Sequence, residues 1–204
     1  AEEVKKKLIA GVKSFSMGTV EDFSNFINAV IDEKSFDNIK RYIDAAKKDP
    51  KSQILVGGKC DKKSGYFIQP TVIETKNPRS STMCEEIFGP VLTIFVYQDN
   101  EWNSIFKVVD STSEYALTGA IIAQDRQAIT QATWELRNSA GNFYINDKPT
   151  GAVVGQQPFG GGRGSGTNDK AGAKVNLLRW VSQRTIKENF VPPKDYRYSF
   201  LLED

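Results

Sequence analysis

Histidine is absent from this 204-residue chain. Its absence excludes, within the chain, every Ser-His-Asp or Cys-His catalytic arrangement and every zinc or iron site that needs an imidazole. The two cysteines, Cys60 and Cys84, are too few for a secreted framework of several disulfides or for a four-thiolate metal centre. No Asn-x-Ser/Thr sequon occurs either. We therefore predict a protein of a reducing compartment with no metal site.

Long apolar runs and strong net charge are also missing. The longest clearly apolar stretch, residues 91–97, is far shorter than the ~20 residues that span a bilayer. The 27 basic and 25 acidic residues leave a net charge of +2, too weak a field to indicate nucleic acid or an anionic membrane as a partner. With 39% hydrophobic residues the chain can form a core, so we predict one globular domain or a large part of one.

Hydrophobic periodicity predicts an α/β fold. Helices are expected over residues 36–46 after a cap at Ser35, over 102–109, and over 129–136 after Asp125. Strands are expected at residues 54–56, 91–97, 117–123 and 141–146, with a turn at Gly57-Gly58. Short apolar runs that alternate with helices are typical of parallel strands with flanking helices. The start, Ala1–Leu8, lacks a signal-peptide core and predicts an exposed helical turn of a chain that is cut from a longer one, since no initiating Met is present.

The segment from Asp147 to Gly172 interrupts this pattern. It contains eight of the sixteen glycines and is predicted to be a long loop, which in compact domains is usually functional. After it, residues 173–178 indicate one or two helical turns, residues 180–190 a strand, and residues 191–204 an irregular arm. No Gly-x-x-x-x-Gly-Lys-Ser/Thr or Gly-x-Gly-x-x-Gly pattern fits the loop, so a phosphate site is not expected.

Two motifs carry a resemblance to a known family. Glu85-Glu86-Ile87-Phe88-Gly89-Pro90-Val91 leads into a strand, and Gly155-Gln156-Gln157-Pro158-Phe159-Gly160-Gly161 is followed by Ser165-Gly166-Thr167-Asn168-Asp169-Lys170 and Leu177-Leu178-Arg179-Trp180. From about residue 36 to 188 the chain resembles the aldehyde dehydrogenase superfamily, and within it the branch that oxidises L-glutamate gamma-semialdehyde. The first thirty residues match less clearly.

The resemblance implies only the C-terminal part of the catalytic domain, over residues 1–172, followed by an oligomerisation strand and tail over 173–204. The family's cysteine nucleophile, general-base glutamate, oxyanion-hole asparagine and Rossmann domain all precede the segment that matches. Neither Cys60 nor Cys84 lies at the nucleophile's position, and we predict small, partly buried side chains for both. The chain therefore supplies no catalytic residue.

The resemblance assigns five binding residues. Glu86 would accept hydrogen bonds from the ribose hydroxyls of NAD, and Phe88 would pack on the nicotinamide. On residue type alone, Glu86 is a solvated turn residue and Phe88 an ordinary core residue. The amides of Gly151 and Ala152 would bind the substrate carboxylate, and two such bonds would contribute ~3 to 6 kcal/mol, or ~100-fold to ten-thousand-fold selectivity. Phe159 would contact the substrate's aliphatic chain or simply fill the core.

The function that the resemblance implies is oxidation of glutamate semialdehyde to glutamate with NAD, in proline catabolism in the mitochondrial matrix. There a thiolate adds to the aldehyde, hydride passes to the nicotinamide, and water releases the acid. The expected partners are a carboxylate-bearing aldehyde, the missing N-terminal part of the enzyme, and further copies in a homo-oligomer. Two alternatives are a naturally truncated protein for binding or subunit association, and an aldehyde dehydrogenase for a different acid-bearing substrate. Arg163 and Lys170 are predicted to stabilise the loop or lie exposed.

Overall fold

The structure is a computed structural model that describes residues 1–153 and 155–202. The α-helices are α1 (Glu2–Lys13), α2 (Glu33–Lys48), α3 (Ser81–Cys84), α4 (Trp102–Thr112) and α5 (Arg126–Glu135). The strands are β1 (Ser52–Val56), β2 (Cys60–Asp61), β3 (Phe67–Ile68), β4 (Thr71–Thr75), β5 (Val91–Phe95), β6 (Tyr115–Ala116), β7 (Thr118–Ile121), β8 (Asn142–Ile145) and β9 (Gly162–Arg163). Segments of 3-10 helix cover Asp99–Glu101, Lys174–Trp180 and Ser199–Leu201. None of the helices in the described ranges combines the length and apolar composition needed to cross a bilayer.

The strands form two separate parallel pairs. In one sheet the strand order is β1-β4-β5, in which β4 and β5 are parallel and β1 runs antiparallel to β4. A second sheet consists of the parallel pair β7 and β8. Two short antiparallel ladders, β2 with β3 and β6 with β9, complete the pairing. The predicted α/β class with parallel strands and flanking helices is therefore confirmed.

Two hydrophobic clusters hold these layers together. The first lies under α2 and is formed by buried residues of that helix, of β3 and of the segment before β5: Phe36, Ile39, Tyr42, Ile43, Ile68 and Ile87. The second joins α4 to α5 through Phe106, Ala132 and Leu136. Since both helix stripes were predicted from spacing alone, the apolar period of 3.6 residues identified the buried faces correctly.

Three local predictions need correction. Helix α2 is capped by Asp32, whose side chain accepts from the Ser35 amide at 2.7 Å, so Ser35 lies inside the helix. The predicted turn at Ala1–Leu8 is a 12-residue helix. The strand predicted from Trp180 to Phe190 does not form: residues 181–189 have no regular secondary structure and lie exposed. Val181 and Ile186 are the only apolar residues among them, so the segment has no apolar face to bury against this chain.

Candidate functional site

The segment from Glu85 to Pro90 is fixed to the platform formed by α2. The Tyr42 hydroxyl, in a side chain only 5% exposed, donates a hydrogen bond to the Glu85 carboxylate. This bond and burial raise the pKa of the Tyr42 phenol. Ile87 enters the cluster under α2, and a Cβ at Gly89 would overlap the Ile39 side chain. Every second residue of the segment is thus attached to α2.

The two residues between these attachments face outward. Glu86 is exposed and makes no hydrogen bond or ion pair within the part of the chain that the structure describes. Phe88 is 84% exposed and has a left-handed backbone with φ +61°, which is uncommon for a residue with a Cβ. An exposed aromatic side chain held in a strained backbone is a feature associated with functional sites. Phe88 is therefore not part of the core that this chain forms.

The glycine-rich segment is a loop, as predicted, interrupted by β9 and by a bridge between Phe159 and Ala171. Gly151 is exposed with φ +85°, and Ala152 is half-buried. Neither amide donates a hydrogen bond to any residue that the structure describes. These amides are therefore available to an acceptor such as a carboxylate.

Hydrogen bonds hold the base of this loop, which is the segment Pro158–Gly160. Asn142 donates to the Pro158 carbonyl at 3.1 Å and accepts from the Gly160 amide at 3.2 Å. Phe159, between those two residues, is half-buried and exchanges two backbone hydrogen bonds with Ala171, at 2.9 and 2.8 Å. Sequence reasoning missed Asn142, and its position at the start of a strand gave no signal of this role.

Arg163 and Lys170 stabilise the loop, as predicted. The guanidinium of Arg163 donates to the Asp110 carbonyl at 2.7 Å and pairs with its carboxylate at 2.5 Å. Ser139 donates to the same carboxylate at 2.6 Å. The hydrogen bond from Ser139, followed by that from Arg163, lowers the pKa of Asp110.

The cofactor-side and substrate-side residues are not joined by any hydrogen bond or ion pair among the described residues. A shared cleft between Glu86 and Gly151 stays a prediction. Cys60 and Cys84 are both half-buried free thiols, and burial raises the pKa of the Cys60 thiol, which disfavours its nucleophilic thiolate. Within residues 1–153 and 155–202, no group of three or more Cys, Asp or Glu side chains is placed to hold a metal ion.

An apolar cleft of about 400 Å³ lies between the two sheets. Its walls include Phe95 of β5, Thr118 and Ala120 of β7, and Ile105 of α4. Strand β5 is at the end of its sheet, and β7 pairs only with β8, so each strand has one edge without a strand partner in the described chain. The two parallel sheets therefore border a common gap.

The comparisons with known proteins agree on one family. The profile of the Aldehyde dehydrogenase family matches residues 1–186, so the resemblance extends over the first thirty residues as well. The chain is 57% identical over 201 residues to the mitochondrial delta-1-pyrroline-5-carboxylate dehydrogenase of Dictyostelium discoideum. Its identity to the mitochondrial protein of the same name from Homo sapiens is 48% over 200 residues. Each match covers 98% of this chain but only 36% of the relative, so the chain spans about a third of the length of these relatives.

Solved structures give the same result. The delta-pyrroline-5-carboxylate dehydrogenase of Mycobacterium tuberculosis superposes with a TM-score of 0.84 at 47% identity, over 98% of this chain and 37% of that one. The same protein bound with NAD gives a TM-score of 0.82, with 98% of this chain and 36% of that one covered. A betaine aldehyde dehydrogenase of Staphylococcus aureus, 27% identical, gives 0.79 with 97% of this chain and 38% of that one covered. The chain belongs to the aldehyde dehydrogenase family.

Proposed function

We propose that this chain is the C-terminal part of an NAD-dependent dehydrogenase that oxidises L-glutamate gamma-semialdehyde to L-glutamate. It supplies contacts to the cofactor and the substrate, while the preceding part of the protein supplies the cysteine nucleophile. The observation that carries the proposal is the segment before β5, which is attached to α2 and leaves Glu86 and Phe88 exposed, with no hydrogen bond to the Glu86 carboxylate among the described residues. Relatives that carry the delta-1-pyrroline-5-carboxylate dehydrogenase name support the choice of substrate.

On the cofactor side, the residues present fit a dinucleotide. A carboxylate has two oxygens that accept hydrogen bonds from a ribose diol, and an exposed phenyl ring offers a flat surface to the nicotinamide. Because Glu85 and Ile87 are attached to α2, the backbone of Glu86 and Phe88 is held in place before the cofactor binds, which lowers the entropic cost of binding. NAD, when bound, supplies the hydride acceptor.

On the substrate side, the amides of Gly151 and Ala152 are proposed to bind the carboxylate of the semialdehyde. Each charge-assisted bond contributes ~1.5 to 3 kcal/mol, and an aldehyde without a carboxylate gains neither. Phe159 is proposed to contact the aliphatic chain of the substrate. Its backbone is fixed by Ala171, so the ring has a defined position at the end of the loop.

The cleft between the sheets is consistent with a place for polypeptide that precedes this chain. In parallel α/β sheets a helix connects strands of the same direction, and α4 connects β5 to the β6–β7 segment across the gap. We propose that a strand from the preceding polypeptide enters this cleft and joins the two sheets. Residues 173–204 are proposed as a separate oligomerisation segment, whose strand forms only against another subunit of a homo-oligomer. By analogy with the mitochondrial relatives, we propose a location in the mitochondrial matrix.

The test compares the chain with the full-length protein cloned together with its preceding coding sequence. We expect the full-length protein to reduce NAD with glutamate semialdehyde, and the chain alone to be inactive. Activity of the isolated chain would overturn the proposal that the preceding part of the protein supplies the cysteine nucleophile. A native product of about 22.7 kDa, the mass of this chain, would instead favour the truncated binding protein. A higher kcat/KM for another acid-bearing aldehyde would assign a different substrate.

A further inference from the structure

The segment from Ser165 to Lys170 is a sequence motif that the proposed function leaves without a role. Its last residue, Lys170, is half-buried. The Lys170 ammonium donates to the Gly141 carbonyl at 2.5 Å and to the Gly160 carbonyl at 3.0 Å, and lies 3.4 Å from Asn142 Oδ1. The three N–H donors of one ammonium are thus directed to three oxygens around the base of the glycine loop.

These oxygens belong to two stretches of backbone that touch. A Cβ at Gly141 would overlap the Gly160 carbonyl oxygen, so the chain before β8 and the end of the loop are in direct contact. Two carbonyl oxygens that face the same point repel each other unless a cation or donor lies between them. Lys170 provides that cation, and without it the contact would loosen.

The backbone around Lys170 is itself in an unfavourable conformation. Asn168 and Lys170 both have left-handed φ values, +57° and +56°. Such conformations cost free energy and persist only where the surrounding structure enforces them. Here the turn directs the lysine side chain back toward Gly141 and Gly160, which links the conformation to the hydrogen bonds.

The charge of Lys170 is not neutralised by a carboxylate in the described residues. The neighbouring acid, Asp169, pairs instead with Arg179 at 2.9 Å. An ammonium whose only partners are neutral oxygens keeps a positive potential at the base of the loop. That potential favours a ligand that carries a negative charge.

We propose that Lys170 is a positioning residue that selects carboxylate-bearing aldehydes. It fixes the base of the loop at Gly160 and Asn142, and so holds the amides of Gly151 and Ala152 in place for the carboxylate. This inference rests on the proposed function. It adds a determinant of specificity at a residue to which the proposed function assigns no contact with the substrate or the cofactor.

The test uses the full-length protein and the variants Lys170→Met and Lys170→Arg. Methionine keeps an unbranched side chain with the same backbone demand and removes only the charge and the donors. The measured quantity is the ratio of kcat/KM for glutamate semialdehyde to kcat/KM for propionaldehyde, which has no carboxylate. We expect Lys170→Met to lower this ratio about tenfold, equivalent to ~1.4 kcal/mol, with the KM for NAD unchanged. Lys170→Arg, which keeps charge and donors, should recover most of the ratio.

Two further variants keep the test decisive. Lys174→Met removes an exposed lysine four residues away that makes no hydrogen bond among the described residues, and should leave the ratio unchanged. Asn142→Ala removes the side chain that holds Pro158 and Gly160 and should lower the ratio as Lys170→Met does, so it decides the case if Lys170→Met does not fold. If the wild type prefers glutamate semialdehyde and Lys170→Met and Asn142→Ala keep the same ratio of kcat/KM values, this inference is overturned. A wild type inactive on the semialdehyde would overturn the proposed function instead.

Discussion

At the residue scale, the hydrogen bond between Tyr42 and Glu85 attaches the segment that contains Glu86 to helix α2. It connects a buried helix residue to the residue immediately before Glu86. The sequence motif indicated the outward residues of the segment, but it gave no information on what holds them. Tyr42 lies within the helix predicted over residues 36–46, but spacing alone does not show where the polar atom of a side chain is directed.

We predict that Tyr42→Phe in the full-length protein raises the KM for NAD about fivefold without lowering kcat. The phenylalanine keeps the packing and removes one hydrogen bond, which contributes ~1 kcal/mol to the position of the segment. Loss of an interaction present in both ground state and transition state changes KM alone. Steady-state kinetics with NAD as the varied substrate measure the effect.

The matched control is at the other end of the bond. Glu85→Gln retains an acceptor oxygen for the Tyr42 hydroxyl and should have a KM for NAD close to that of the wild type, whereas Glu85→Ala should behave as Tyr42→Phe does. If Tyr42→Phe lowers the thermal midpoint but leaves the KM for NAD unchanged, the bond stabilises the fold and does not position Glu86.

At the scale of elements, Asp110 connects three parts of the structure. It lies in α4 and receives hydrogen bonds from Ser139, after α5, and from Arg163 of β9. Its lowered pKa means that the ionised form stabilises the folded state. This contribution is complete above the unfolded pKa of ~3.9 and is lost as the pH falls through the lower folded value.

We therefore predict that Asp110→Asn destabilises the protein by about 1 kcal/mol at pH 7, since the pair is partly exposed. The difference from the wild type should begin to shrink below about pH 4, where the Asp110 carboxylate takes up a proton in the unfolded chain, and should disappear once the folded protein is protonated there as well. Thermal midpoints measured across pH 3 to 7 test this. Glu135→Gln, which removes an exposed carboxylate without a partner among the described residues, should show no such convergence. A constant difference across the range would contradict the prediction.

The elements also show where sequence reasoning succeeds and fails. The helices containing Phe36 and Phe106 were predictable because each buries one stripe against a local partner, and the stripe repeats every 3.6 residues. The strand expected after Trp180 does not form because residues 181–189 contain only two apolar residues, Val181 and Ile186, and so have no apolar face to bury against this chain. Lys170 was predicted to stabilise the loop, but its partners were not predictable, since they are the carbonyls of Gly141 and Gly160, which are 29 and 10 positions away.

At the scale of the whole molecule, the hydrogen-bond pattern shows which backbone amides of β5 and β7 face the gap between the sheets. The Thr71 amide donates to the Pro90 carbonyl at 2.9 Å, so residues 90, 92 and 94 face β4 and the amides of Thr93 and Phe95 face the gap. The Asn146 amide donates to the Ile121 carbonyl at 2.8 Å, so residues 119 and 121 face β8 and the amides of Thr118 and Ala120 face the gap. The hydroxyl of Thr93 is buried without a hydrogen-bond partner within the described chain.

We predict that hydrogen exchange in the full-length protein protects the amides of Thr93 and Phe95 as strongly as those of Leu92 and Ile94. An edge strand protects only the alternate amides that pair with its one neighbour, whereas a strand with neighbours on both sides protects all of them. Leu92 and Ile94 are the internal control, since their bonds to β4 exist with or without a further strand. Alternating protection along β5 would contradict an inserted strand, because water would then reach every second amide. Uniform protection at both β5 and β7 would support the proposal that these two strands border one strand of the preceding polypeptide, which joins the two sheets.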